Sequence, residues 1–168
     1  MIKTLLVRAS VVTSGILLCA AAAQAEEYKV DWKTLQTAKV SLQQGLGAAQ
    51  KKGKPISGKF EVEDGALQLS TYTASNGKYS EVVLDHKTGK IVKSEEIKEG
   101  DDLTDATSQD KAMAAAKTSL RSAVSKAVSS HKGYRALSAV PSLKDGKPIA
   151  TIVLQNAKGT KTVIEKLD

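Results

Sequence analysis

Two stretches of the chain carry apolar residues at helical spacing. In the first stretch the apolar positions recur every three or four residues, at Leu35, Ala38, Leu42, Leu46 and Ala49. The second stretch shows the same spacing at Met113, Ala116, Leu120, Val124 and Ala127. Each pattern predicts an amphipathic helix, and Lys132-Gly133 provides an end for the second one.

Each predicted helix is followed by segments in which apolar and polar residues alternate, which is typical of half-buried strands. After the first helix we expect strands at about 56–63, 66–73, 78–85 and 90–97. Asp64-Gly65 and Asn76-Gly77 mark hairpin turns because both dipeptides tolerate a positive φ. After the second helix, strands are expected at 134–143, 147–155 and 160–167.

The two halves resemble each other in order and spacing. Asp64-Gly65 and Asp145-Gly146 lie 81 residues apart, and Gly77 and Gly159 lie 82 apart. We therefore expect an α+β fold made of two repeats, each a helix packed on a three- to four-stranded antiparallel sheet. The pattern leaves open whether the repeats form paired domains or share one continuous sheet.

The N-terminal segment 1–25 has the features of a secretory signal peptide. Lys3 and Arg8 precede an apolar stretch at 11–23, and Ala23-Gln24-Ala25 fits a cleavage site. The apolar stretch is too short to favour an uncleaved anchor. We therefore expect a bacterial periplasmic or secreted protein that meets a membrane only during export. Cleavage removes Cys19, the sole cysteine, so the mature chain has no internal disulfide.

Charge is unevenly distributed along the mature chain. Residues 95–110 carry one base and seven acids, whereas residues 111–168 carry 11 bases and three acids. We assign 26–97 and 108–168 to the two units, the second abbreviated, and 98–107 to an acidic linker. The basic block is either a solvated lysine-rich face or a surface for an anionic polymer or lipid. Tyr134 is the single aromatic residue in this block, too few for stacking on successive bases, which argues against a nucleic-acid partner.

The segment Tyr79-Ser80-Glu81-Val82-Val83-Leu84-Asp85, followed by Thr88-Gly89-Lys90-Ile91-Val92, resembles the signature that closes a PepSY domain. The resemblance covers about residues 34–97, and more loosely 108–168, where the signature is reduced to Thr162-Val163-Ile164-Glu165. PepSY domains occur in propeptides of secreted metallopeptidases and in exported bacterial proteins. The resemblance implies a non-enzymatic protein that binds a protein partner and inhibits or regulates a peptidase.

The residues themselves provide no recognisable catalytic constellation. His86 and His131 are interpreted as structural, since zinc hydrolysis normally needs two or three converging histidines. The acids between 95 and 102 could hold calcium, but they lack the spacing of a calcium loop and are read as linker. We expect no cofactor, no metal and no enzyme activity.

Five residues are candidates for partner binding. Tyr72 and Tyr79 lie on predicted strands, where their rings could anchor a partner or pack in the core. His86, Lys87 and Thr88 form the tip of a predicted hairpin turn. The alternative function is a basic envelope module that binds an anionic polymer or lipid surface.

Overall fold

The computed structural model describes residues 30–168. The predicted signal peptide lies outside these residues. Four helices and seven strands are present in the described part, in the order α1 Trp32–Gln36, α2 Leu42–Ala49, β1 Lys54–Glu63, β2 Ala66–Ser75, β3 Lys78–Leu84, β4 Ile91–Ile97, α3 Gly100–Ala115, α4 Leu120–Ser130, β5 Arg135–Lys144, β6 Lys147–Asn156 and β7 Gly159–Lys166.

All seven strands belong to one antiparallel sheet with the order β4-β3-β2-β1-β5-β6-β7. The expectation of two repeats, each a helix on its own three- to four-stranded sheet, is therefore wrong. β1 and β5 pair directly, through Gly58 opposite Ala139 and Lys59 opposite Ser138. Pairing satisfies backbone groups that two separate sheets would leave at open edges. Sequence periodicity reports the strands but contains no information on this central pairing.

The hairpin turns predicted from the sequence are confirmed. Asp64, Asn76 and Asp145 adopt φ of 50°, 50° and 51°, and each is followed by a glycine with positive φ. β1 and β2, β2 and β3, and β5 and β6 are joined at these positions. Asp and Asn visit the left-handed region more readily than most residues do, so these dipeptides fix the strand register.

One side of the sheet, which we call the apolar face, carries the main hydrophobic core. Helices α2 and α4 lie next to each other and pack on it. Gly58 on β1 lets α2 approach closely, because a Cβ there would lie 3.2 Å from both Leu42 and Leu46. The largest core side chains are fully buried, namely Leu35, Leu42, Leu46, Ile56, Phe60, Leu69, Leu84, Leu120, Leu137, Ile152, Leu154 and Leu167.

The opposite side, which we call the polar face, is crossed by α3. This helix corrects two expectations. Most of the predicted acidic linker, from Gly100 onward, is helical, and the predicted second helix is divided between α3 and α4 with a break at 116–119. Asp101 and Asp102 occupy the first turn of α3, where negative charge interacts favourably with the helix dipole. None of the helices within residues 30–168 is both long and apolar enough to cross a membrane.

Candidate functional site

A groove of about 200 Å³ runs between α3 and the middle of the polar face. Strands β1, β2 and β5 form its floor, and α3 forms one wall. Most of the residues that line it are polar, namely Ser57, Gly58, Lys59, Tyr72, Asp102, Asp105, Ala106, Gln109, Ser138 and Val140. The groove therefore offers donors, acceptors and charges on a floor made of regular strands.

Lys59 and Tyr72 lie together on the floor of the groove. The Lys59 Nζ lies 2.8 Å from a carboxylate oxygen of Glu61 and 5.9 Å from the centre of the Tyr72 ring. Burial alone would lower the pKa of Lys59, but the hydrogen bond to Glu61 and the neighbouring Tyr72 outweigh it, so the pKa is raised. Burial raises the pKa of Tyr72, because the ionised phenolate is poorly solvated there.

These two shifts define what the floor can do chemically. Lys59 remains an ammonium ion and Tyr72 a neutral phenol at any physiological pH. A protonated lysine is neither a nucleophile nor a general base, because its lone pair is occupied. Both groups can donate hydrogen bonds, and Lys59 also presents a positive charge, so the floor has groups that can bind a ligand.

The wall of the groove is held in place by contacts between α3 and β1. The Ser57 Oγ donates a 2.6 Å hydrogen bond to the Oε1 of Gln109, and the Lys54 Nζ donates a 2.7 Å bond to the carbonyl of Met113. Ala106 and Met113 are residues of α3 whose side chains are buried. These contacts fix the orientation of α3, so its exposed carboxylates on Asp102 and Asp105 face the groove.

Both tyrosines predicted as binding residues lie on the polar face. Tyr72 is half-buried and lines the groove, opposite Glu81 of β3. Tyr79 lies opposite Ala74, and its hydroxyl is 3.4 Å from a carboxylate oxygen of Asp110 on α3. Tyr79 therefore supports the helix, while Tyr72 is accessible to a ligand.

The other three predicted residues are far from this groove. His86, Lys87 and Thr88 follow the C-terminal end of β3. Glu81, the residue opposite Tyr72, is roughly 16 Å from them along the chain at about 3.3 Å per residue. The His86 carbonyl accepts hydrogen bonds from the backbone N–H groups of Lys39 and Val40, at 2.9 and 3.0 Å. The turn is thereby attached to the segment between α1 and α2, and the five candidates do not form one site.

Asp85 organises that turn. Its carboxylate accepts hydrogen bonds from the Thr88 N–H, the Thr88 hydroxyl and the Lys87 N–H, at 2.7 to 2.9 Å. These donors hold the pKa of Asp85 below its ordinary value, with the Thr88 backbone N–H the largest cause. The Asp-x-x-Thr-Gly pattern thus has a structural explanation in the fixed shape of the turn.

Part of the basic block borders a second depression, at the hairpin between β5 and β6, whose lining includes Pro148 and Ile149. Lys144, Lys147 and Lys166 border this shallow depression together with Asp145 and Asp168. Among the described residues, no group of three His, Cys, Asp or Glu side chains is arranged to hold a metal ion.

Sequence reasoning missed most of the groove, including Lys59, Asp102, Asp105 and Gln109. A signal was present in the spacing of Asp102, Ala106, Gln109 and Met113, which differ by four, three and four residues. That spacing is helical, but only alanine and methionine in it are apolar, so a search for hydrophobic stripes passes over it.

No family model, no curated protein and no solved structure matches this chain.

Proposed function

We propose that this is an exported, non-enzymatic protein that binds another protein of the bacterial envelope through the groove on its polar face. The observation that carries the proposal is the half-buried Lys59–Tyr72 floor facing the acidic rim of α3. Its groups are held by regular strands and a tethered helix, so little conformational freedom is lost when a partner binds.

The charges of the groove define the chemistry of the partner. Asp102 and Asp105 on the rim outnumber the one cation that lines the groove, Lys59, and Lys59 is already paired with Glu61. The groove therefore favours a lysine or arginine side chain, or a segment rich in hydrogen-bond donors, on the partner. A basic protein with an acidic groove can discriminate among partners by charge.

The resemblance to the PepSY family adds the class of partner, a secreted or periplasmic peptidase whose activity the protein restrains. The seven-stranded sheet with two-residue turns supports this role, since a rigid surface can cover a cleft without offering a flexible, cleavable segment.

The proposal is tested with purified exported protein in two assays, capture of partners from periplasmic extract and titration into secreted metallopeptidases. The double variant Asp102→Asn, Asp105→Asn is expected to weaken capture and inhibition by about tenfold, since each rim charge contributes roughly 0.7 kcal/mol. The matched control, Asp64→Asn with Asp145→Asn, removes two carboxylates at hairpin turns that asparagine also suits.

Capture without inhibition would keep the binding proposal and reject the peptidase as the partner. Equal loss in both double variants, or no captured protein at all, would overturn the groove as the binding site.

A second candidate function is binding of an anionic polymer or lipid headgroup at the depression bordered by Lys144, Lys147 and Lys166. The observation that favours it is the convergence of three lysines from two hairpin strands and β7. Its test is binding to vesicles or polysaccharide that collapses with salt, because exposed charges are screened beyond about 10 Å at 0.1 M. Binding that does not depend on salt would exclude it.

A further inference from the structure

The two outer edges of the sheet differ in how they are protected. β4 is interrupted by a register shift opposite Val83 and Leu84, and its side chains include Lys93, Glu95 and Glu96. Bulges and charges are the usual means by which an edge strand avoids pairing with another chain. The β4 edge is therefore protected.

The β7 edge has neither a bulge nor a central charge. It pairs with β6 in unbroken register from Asn156 opposite Gly159 to Ile149 opposite Lys166. Its centre is Thr162-Val163-Ile164, three β-branched residues that favour strands, and Ile164 is 55% exposed. Within residues 30–168 no hydrogen bond is made to the outer backbone groups of this strand.

We propose that the β7 edge pairs with β7 of a second copy of this chain, antiparallel and centred on Val163, so that two sheets join into one of 14 strands. In this two-fold arrangement, each residue lies opposite the residue of the second copy that is equally far from Val163 on its other side. Thr162 then faces Ile164 of the second copy, and β-branched residues meet at every central position.

Charge complementarity selects this register and this partner. Centred on Val163, Lys161 lies opposite Glu165 of the second copy, and the symmetry makes this pair of opposite charges twice. Glu165 is 8% exposed and its Oε2 lies 2.7 Å from the Nζ of Lys126 on α4, so the exposed Lys161 would add a second cation beside an existing ion pair. Centring on Thr162 or Ile164 instead places Lys161 opposite an apolar residue and loses both pairs. The strand is therefore complementary to itself in one register.

The β4 edge does not offer an equivalent ladder. Centring it on Ser94 also opposes Lys93 to Glu95, but the register shift next to Lys93 breaks the alternation, and Val92 would meet Glu96. This edge supplies a matched control for each experiment below.

The first experiment is disulfide trapping in a Cys19→Ser background, which contains no cysteine. Val163→Cys places two thiols directly opposite each other, where Cα atoms are about 4.5–5.5 Å apart and a disulfide fits. Thr162→Cys places its thiols on a diagonal of about 7–8 Å, which is too far. We expect a covalent dimer from Val163→Cys and monomers from Thr162→Cys and from Ser94→Cys on the β4 edge.

The second experiment is sedimentation of unmodified protein over a dilution series, with Ile164→Lys compared with Val92→Lys. Both positions are exposed, by 55% and 64%, so neither substitution requires burial of the new charge. Ile164→Lys disturbs two symmetric cross-strand pairs and should weaken dimerisation by about 5- to 30-fold. Val92→Lys should leave it unchanged.

A protein that stays monomeric throughout the series, with no covalent dimer from Val163→Cys, would overturn the proposal. A covalent dimer trapped through Ser94→Cys would show that the β4 edge pairs as well and would overturn the choice of edge. A covalent dimer formed through Thr162→Cys as efficiently as through Val163→Cys would overturn the register. A monomer whose β7 edge is protected only after addition of periplasmic extract would assign the edge to a different protein.

Discussion

The two faces of the sheet are built from the same strands but are covered by different kinds of helix. On the apolar face, α2 and α4 bury leucine, isoleucine and phenylalanine, and Gly58 lets α2 approach the strands. On the polar face, α3 contributes few apolar side chains and is held by hydrogen bonds from Ser57 to Gln109 and from Lys54 to the Met113 carbonyl. Burial of apolar area stabilises the fold, whereas a polar layer leaves donors and charges free for a ligand.

The largest expected effect comes from the apolar face. Phe60→Ala removes a side chain that is 1% exposed and should lower the free energy of unfolding by about 3–5 kcal/mol. Lys59→Met, the preceding residue on the polar face, should change it by less than about 1 kcal/mol, because its ion pair is partly exposed. Urea unfolding measures both, and equal losses would show that the faces share the stability evenly.

A smaller effect is expected where α3 is attached to the sheet. Gln109→Ala leaves the buried Ser57 hydroxyl without its partner and should cost about 1–2 kcal/mol. Ser108→Ala, at an exposed neighbouring position of α3, is the matched control and should be near neutral. In a double-mutant cycle, Ser57→Ala and Gln109→Ala should couple by about 1 kcal/mol. Additive losses would mean that the hydrogen bond does not hold the helix.

The smallest expected effect is on the pH dependence of stability, and it comes from Tyr72 on the polar face. The folded state raises the pKa of Tyr72 above the ordinary value of about 10 and therefore favours the neutral phenol. This contribution to stability is complete below pH 10 or so and is lost as the pH rises through the folded-state value. Subtracting the tyrosinate absorbance of Tyr72→Phe from that of the unchanged protein should isolate a titration above the ordinary range. A difference centred near pH 10 would contradict the partial burial of Tyr72 in the groove.

The sequence predicts the apolar face well because the apolar residues of a single helix or strand recur at the spacing of that element. Leu35, Leu42 and Leu46 belong to the apolar stripe that the spacing predicts, and all three are fully buried. The single helix predicted through them is wrong, since it is divided between α1 and α2 with a break at 37–41. The same reasoning failed for the central pairing of Gly58 with Ala139, since strand order depends on contacts between distant residues.

The groove was harder to predict for a related reason. The density of acids at 95–110 predicts a linker, whereas Asp101 and Asp102 occupy the first turn of α3, where acids are favoured. Tyr72 was identified because it lies on a strand, but its neighbours Lys59 and Gln109 come from elements that only the folded chain brings together. Polar sites assembled from separate elements leave little periodic signal.

The most direct test of the account is photo-crosslinking in the bacterial envelope from one residue on each side of the molecule. A photoreactive amino acid at Asp105 lies on the rim of the groove, and the same group at Ser125 lies on the exposed side of α4. The account predicts a discrete adduct with a second protein from Asp105 and none from Ser125. An adduct from Ser125 alone, or the same adduct from both positions, would contradict the assignment of binding to the polar face.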